Sequence, residues 1–258
     1  MNAFSFGKLL FTYLPFLRPL LVKGKMSFAP HYWGMSTLYA RPDLSTTDKI
    51  FRSSVESVHG FDKKNPKSYN KETIDGSLWR FWYVAFATQQ AKLFAKSDNF
   101  VECGVMNGYT AYFSMEQLSK NFTMHLYDAW EGMRAEYLTE SEKSRIGEYK
   151  ELDMDVTKLN LKKFEKNTVY HKGHIPKTLD ETAPENIAYL HIDLNSSKAT
   201  KDTLDFFLPR LVENGIILFD DYGYPEYFDT ANVIDQSIDG ISGNILKLPT
   251  AQAIFFKS

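Results

Sequence analysis

Cysteine is nearly absent: Cys103 is the only one in 258 residues. No intrachain disulfide can form, and the thiolates of a structural zinc site are missing. A lone cysteine suits a cytoplasmic protein. An excess of one charge sign is lacking too. Thirty Lys and Arg stand against 32 Asp and Glu, for a net charge of −2. No basic run is present, which excludes an evident phosphate-backbone partner and so nucleic acid. There is no internal repeat and no low-complexity tract. The dinucleotide fingerprint G-x-G-x-x-G is missing as well, which argues against an NAD(P)-dependent oxidoreductase. No transmembrane segment is expected. The apolar segment "KLLFTYLPFLRPLLVKG" (8–24) is broken by Pro15, Arg18 and Pro19 and is too short to span a bilayer. No small-residue cleavage site follows it, so a secretory signal is disfavoured. It reads as a segment packed on its own domain or on a second subunit, with a partner-docking or membrane-surface arm as the alternative.

What is there is a folded composition, 43% hydrophobic and 15% aromatic, long enough for one large α/β domain. Residues 1–75 mix aromatics, prolines and charges without a clean period. They read as an N-terminal arm and lid, in which Tyr32 and Trp33 are more readily packing residues than acceptor contacts. "FDKKNPKSYNKETIDG" (61–76) reads as a polar loop. "SLWRFWYVAFATQQAKLFAKS" (77–97) predicts a helix apolar on most faces and largely buried. Residues 76–258 form the main domain. From Asn99 short apolar runs alternate with amphipathic segments. "NFVECGV", "FTMHLYDAW", "TVYHKG", "IAYLHID" and "IILFDD" are strands, and "NILKLPTAQAIFFKS" supplies two more around Pro249. "GYTAYFSMEQLSKN" and "FDTANVIDQSI" read as helices, with a polar, helix-prone insert over 131–166. "SKATKDTLDFFLPRLVENG" (197–215) predicts one helix with Leu204, Phe207, Leu208 and Leu211 on one face. The alternation implies a parallel sheet with helices on both faces. Ligands of such sheets bind beyond the carboxyl ends of the strands.

Two sets of residues fall at those ends. "VECGVMNGYT" joins a strand to a helix as E-x-G-x-x-x-G. Gly104 and Gly108 permit a tight turn and close ligand approach, and the helix start offers free N–H groups. Glu102 would repel a pyrophosphate and suits a cationic ligand, such as an ammonium or sulfonium. Asp128 ends the next strand about twenty residues on, where an acid can accept from ribose hydroxyls; a helix cap is the plainer use of such an acid. Gly173 ends the third strand, with His174 beside it. At the other end Asp193, Asp220 and Asp221 terminate two strands. Three converging carboxylates repel unless a cation sits among them, and a hard divalent ion such as Mg²⁺ or Ca²⁺ prefers oxygen ligands. Helix capping by Asp193 and a turn at Asp221 are the alternatives.

Together "VECGVMNGYT", "LYDAWEGM", "HKGHIPKTL", "LHIDLNSSKAT", "LFDDYGYPEY" and "LPTAQAIFFK" resemble the macrocin O-methyltransferase family over residues 98–257. These are class I S-adenosylmethionine (SAM)-dependent sugar O-methyltransferases. The resemblance implies a Rossmann-like seven-stranded sheet, mostly parallel with an antiparallel final strand. It implies SAM held by Glu102, Gly104, Gly108 and Asp128, and Mg²⁺ held by Asp193, Asp220 and Asp221. It also implies a small-molecule hydroxyl acceptor and a homodimer or larger assembly. Two departures stand out. The family reads H-x-D-x-D-x-Y after the fourth strand, whereas this chain has His191, Asp193, Asn195 and Ser197. Asn195 occupies the place of the family's proposed general base, and an amide takes no proton. It is left to orient the substrate, with His191, His174 and Lys198 as other proton acceptors. The first motif lacks the family's W-R-G-G and carries Met106-Asn107-Gly108-Tyr109 instead. These departures keep open a non-catalytic SAM- or metabolite-binding protein and a methyltransferase for phenol- or catechol-like hydroxyls.

Overall fold

The computed structural model describes residues 49–61, 70–118 and 121–258. The apolar segment 8–24 and Tyr32 and Trp33 lie outside them. Seven strands form one sheet: β1 (Asn99–Cys103), β2 (Thr123–Asp128), β3 (Thr168–Lys172), β4 (Ile187–Ile192), β5 (Leu211–Phe219), β6 (Gly243–Lys247) and β7 (Ala253–Lys257). Their order is β3-β2-β1-β4-β5-β7-β6. The first five strands are parallel, and β7 runs antiparallel to both β5 and β6. Strand order reverses between β1 and β4, which opens a crevice at their carboxyl ends. β4 is buried along its whole length, as a central parallel strand covered on both faces must be.

The helices are α1 (Lys49–Val58), α2 (Lys71–Gly76), α3 (Leu78–Phe94), α4 (Tyr109–Glu116), α5 (Met154–Asn160), α6 (Ser197–Phe207) and α7 (Phe228–Ile238). One hydrophobic cluster joins α1, α3 and α4 to one sheet face through Phe51, Val55, Phe81, Val84, Phe113 and Tyr189. Phe81 and Phe113 stack with centroids 4.7 Å apart. The other face packs on α6 and α7 through Leu204, Phe207 and Ile234. Cys103 is buried there, and burial pushes its thiol well above the ordinary range, so it is not a reactive thiol. Among the described residues no helix is long and apolar enough to cross a membrane.

Three sequence expectations need correction. The polar stretch 61–76 is not all loop: α2 forms over Lys71–Gly76 because the Asn70 side chain caps it, accepting from Thr73 N–H at 2.9 Å. Residues 49–58, part of the segment read as irregular, are helical, and Phe51, Val55 and Val58 are core residues. The helix from Ser197 stops at Phe207, and Leu211 belongs to β5. Pro209 has no N–H to continue the helical ladder, and Leu211 pairs with Ile187 instead. The helix expected over 77–97 forms as Leu78–Phe94; one side is buried from Leu78 to Ala91, and it ends on exposed Leu93 and Phe94.

Candidate active site

The crevice holds a cavity of about 740 Å³, lined at one end by Gly104, Val105, Met106, Asp128 and Gly173 and at the other by Asp193, Asn195, Asp220 and Asp221. Residues from five strand ends thus meet in one space. That volume lies within the range typical of small-molecule sites.

The loop after β1 is fastened from below. Gly104 adopts φ +88, and a Cβ there would sit 1.7 Å from the Asp193 carbonyl oxygen. Only glycine lets β1 and β4 approach so closely. Gly108 caps α4 at φ +82 and lies outside the lining. Met106 holds φ +53, an uncommon place for a long side chain. Its carbonyl accepts from Thr157 Oγ1 at 2.6 Å and Trp130 Nε1 at 3.2 Å. Its N–H donates to Asp128 Oδ2 at 2.8 Å, as does Val105 N–H at 2.7 Å. Trp130 N–H donates to Asp128 Oδ1 at 2.7 Å. Asp128 therefore braces two loops before any ligand arrives. Oδ2 already has two donors and Oδ1 one, so Oδ1 keeps room for a ligand hydroxyl. Burial raises the Asp128 pKa and the three N–H groups oppose that rise.

Glu102 does not line the cavity. It is fully buried one layer behind, where Oε1 accepts from Thr110 Oγ1 at 2.6 Å. Oε2 lies 3.6 Å from His191 Nδ1, and His191 Nε2 lies 3.7 Å from Asp220 Oδ1. The pairing of Glu102 with His191 across β1 and β4 places them side by side. Of the proton acceptors considered from sequence, His191 is sealed in and Lys198 donates to the Glu136 carbonyl. His174 lines the cavity, stacked on Tyr137 and 2.9 Å from Glu131.

Asp193, Asp220 and Asp221 each offer a carboxylate oxygen within 4.8 Å of the others. Burial and the Asp193 carboxylate push Asp221 up to about 7. Capping of α6 falls to Ser196, whose hydroxyl accepts from Ala199 N–H, which leaves Asp193 free of that duty. Asn195, at φ +53, donates through Nδ2 to Asp193 Oδ1 at 3.3 Å. Its Oδ1 accepts from Tyr227 Oη and, at 3.4 Å, from Arg145 Nη1. Arg145 also lies over the Tyr227 ring, 4.0 Å from its centroid. Arginine can only donate, so the amide is oriented with its oxygen away from Asp193. Burial and Asp221 push the Tyr227 phenol up to about 12, which keeps it a donor.

Sequence reading missed Arg80, Tyr227, Arg145, Trp130 and Gln252. Arg80 left one signal, a single cation inside the apolar run "LWRFWYVAF". Tyr227 ended a motif quoted for its acids. Trp130 and Gln252 stood inside motifs given for other residues, and Arg145 carried no local pattern.

A methyltransferase-domain family model matches residues 101–222. No curated protein matches the chain in sequence. Among solved structures, the O-methyltransferase NovP superposes with a TM-score of 0.67 at 15% identity, covering 81% of this chain and 96% of NovP. The calicheamicin methyltransferase CalS11 gives 0.58 at 14% identity, over 89% of this chain and 99% of its own. An O-methyltransferase from Bacillus cereus in complex with SAH gives 0.52 at 12%, over 83% and 94%. Residues 101–222 are thus similar to a methyltransferase domain, and the chain has the fold shared by these O-methyltransferases.

Proposed function

We propose that the protein transfers a methyl group from SAM to a hydroxyl of a small molecule, a sugar or glycosylated metabolite, with a divalent cation such as Mg²⁺ at the acidic end. One observation carries the reading: the glycine turn, Asp128 and the acidic trio line one cavity. A CalS11 structure described as a TDP-rhamnose 3'-O-methyltransferase shares the fold and favours a sugar acceptor.

The residues fit both groups. Asp128 keeps capacity on Oδ1 for a ribose hydroxyl. The turn after Gly104 leaves the loop backbone against the cavity for the methionine portion. Bound there, SAM supplies an electrophilic methyl on a sulfonium. Glu102 acts on this cofactor from behind, by accepting from the Thr110 hydroxyl at the start of α4 and so fixing the turn. Asp193, Asp220 and Asp221 form an all-oxygen donor set, which suits a hard divalent ion. Such an ion lowers the pKa of a hydroxyl it binds. Asn195 orients the acceptor: its Nδ2 has a second hydrogen beyond the one given to Asp193. It cannot take the acceptor's proton, which lowers rate by about 10²–10⁴ relative to a site with a good general base. Alignment of the reacting atoms contributes more than that.

A phenol or catechol acceptor is the second reading. The neutral Asn195 favours a hydroxyl already acidic, and Tyr149, Tyr224 and Tyr227 give the acidic end flat aromatic walls. The lone buried Cys103 keeps a cytoplasmic location in the reading, and the family resemblance keeps a homodimer or larger assembly. The segment up to residue 75 contributes Thr73 to the cavity lining, which supports a covering role for that part.

Calorimetric titration of SAM and then Mg²⁺ into wild type and an Asp220→Ala/Asp221→Ala variant tests the two-part site. Wild type is expected to bind both, and the variant to keep SAM and lose Mg²⁺. Wild type binding SAM without Mg²⁺, with no divalent-ion binding in variants of Arg80 either, would remove the metal from the reading. Binding of neither would remove the function.

A further inference from the structure

We propose that Arg80 is a resident counter-cation of the acidic cluster. It competes with a divalent ion for Asp220, so the site holds its metal weakly while the guanidinium stays in place. This inference rests on the metal reading above.

Arg80 reaches the cluster from α3, 140 positions away in the chain from Asp220. Its Nη2 makes an ion pair with Asp220 Oδ2 in which Asp220 is almost fully buried. The same nitrogen lies 3.4 Å from the Asp220 carbonyl, so Nη2 alone contacts this one residue twice. Nη1 donates to Tyr224 Oη at 2.6 Å and lies 3.5 Å from the Thr250 carbonyl. On its other oxygen Asp220 accepts from Gln252 Nε2 at 2.6 Å. Both Asp220 oxygens are therefore already engaged. Asp193 Oδ1, by contrast, receives the weaker Asn195 amide contact at 3.3 Å.

The charges set the direction of the effect. The three acids carry −3 when ionised, and Arg80 offsets one of those charges at contact distance. A divalent ion sharing Asp220 would stand close to the guanidinium, with little water between to screen the repulsion. The guanidinium also has somewhere else to stay. Tyr224 Oη and the Thr250 carbonyl contact Nη1 independently of the carboxylate, so on releasing Asp220 the partly exposed guanidinium loses its ion pair but keeps hydrogen-bond acceptors. Metal affinity is then set by a helix outside the acidic motifs. Removing the positive charge should tighten the metal, and keeping it as lysine should not.

Mn²⁺ binding followed by electron paramagnetic resonance of the free ion tests this on the full chain, in wild type and in Arg80→Met, Arg80→Gln and Arg80→Lys. Arg80→Met and Arg80→Gln are expected to bind Mn²⁺ at least ~10-fold more tightly than wild type, and Arg80→Lys to stay within about threefold of it. Gln retains hydrogen bonding to Asp220, so a folded comparison exists even if Met disturbs α3. Unchanged or weaker Mn²⁺ binding in the neutral variants, beside a wild type that binds, overturns the role of Arg80 alone. Absence of Mn²⁺ binding from every protein overturns the metal reading and this inference with it.

Discussion

Gly104→Ala is expected to lower the melting temperature by about 5–15 °C and to abolish SAM binding. The added Cβ would lie 1.7 Å from the Asp193 carbonyl oxygen and 2.6 Å from its carbon, both backbone atoms that cannot rotate away. The two strand ends are locked there, because Asp193 N–H donates to the Cys103 carbonyl at 2.8 Å. Relief requires β1 and β4 to separate at the crevice. Left-handed strain costs about 1–2 kcal/mol for a residue with a Cβ. Overpacking adds about 1–3 kcal/mol. Domains of this size lose about 2–4 °C per kcal/mol. Because Asp193 moves with the strand end, function should fail even where the fold survives. Differential scanning calorimetry reads the first effect and SAM titration the second. A variant melting within about 2 °C of wild type would show that the strand ends are not packed as described.

Asp128→Ala is expected to weaken SAM binding about 100-fold, while Asp128→Asn weakens it about tenfold. Hydrogen bonds to charged groups contribute about 1.5–3 kcal/mol, and each 1.4 kcal/mol is a factor of ten in affinity. The alanine variant removes the proposed ribose contact. It also leaves the Val105, Met106 and Trp130 N–H groups without their acceptor, so the loop that holds Met106 at positive φ loses its brace. The asparagine variant keeps one oxygen. Its NH₂ must then face at least one of those three N–H donors, which is why even a near-isosteric change has a cost. SAM calorimetry on both variants separates these grades. Equal affinity in wild type and Asp128→Ala would mean that the cofactor does not use this carboxylate.

The strand ends were readable because buried parallel strands leave continuous apolar runs, and each run stops at an acid or a glycine. That is how Asp128, Gly173, Asp193, Asp220 and Asp221 came to be placed on one cavity wall. Glu102 was less readable: the apolar run places it near the end of β1, but does not show that it points at His191 behind the wall. Asp128 showed its position and hid its load, since three backbone donors leave no trace in sequence. Arg80 and Gln252 reach Asp220 from 140 and 32 positions away, and such contacts have no period. The end of α6 was misplaced because an apolar helix face runs without a break into the apolar start of β5. Only Pro209 marks the boundary.

A crystal structure of the protein with S-adenosylhomocysteine tests the central claim most directly. The account predicts a ribose hydroxyl on Asp128 Oδ1, the amino-acid portion along the Gly104 turn, and the sulfur facing Asp193, Asp220 and Asp221. Density for the ligand elsewhere, or a ribose out of reach of Asp128, would contradict it.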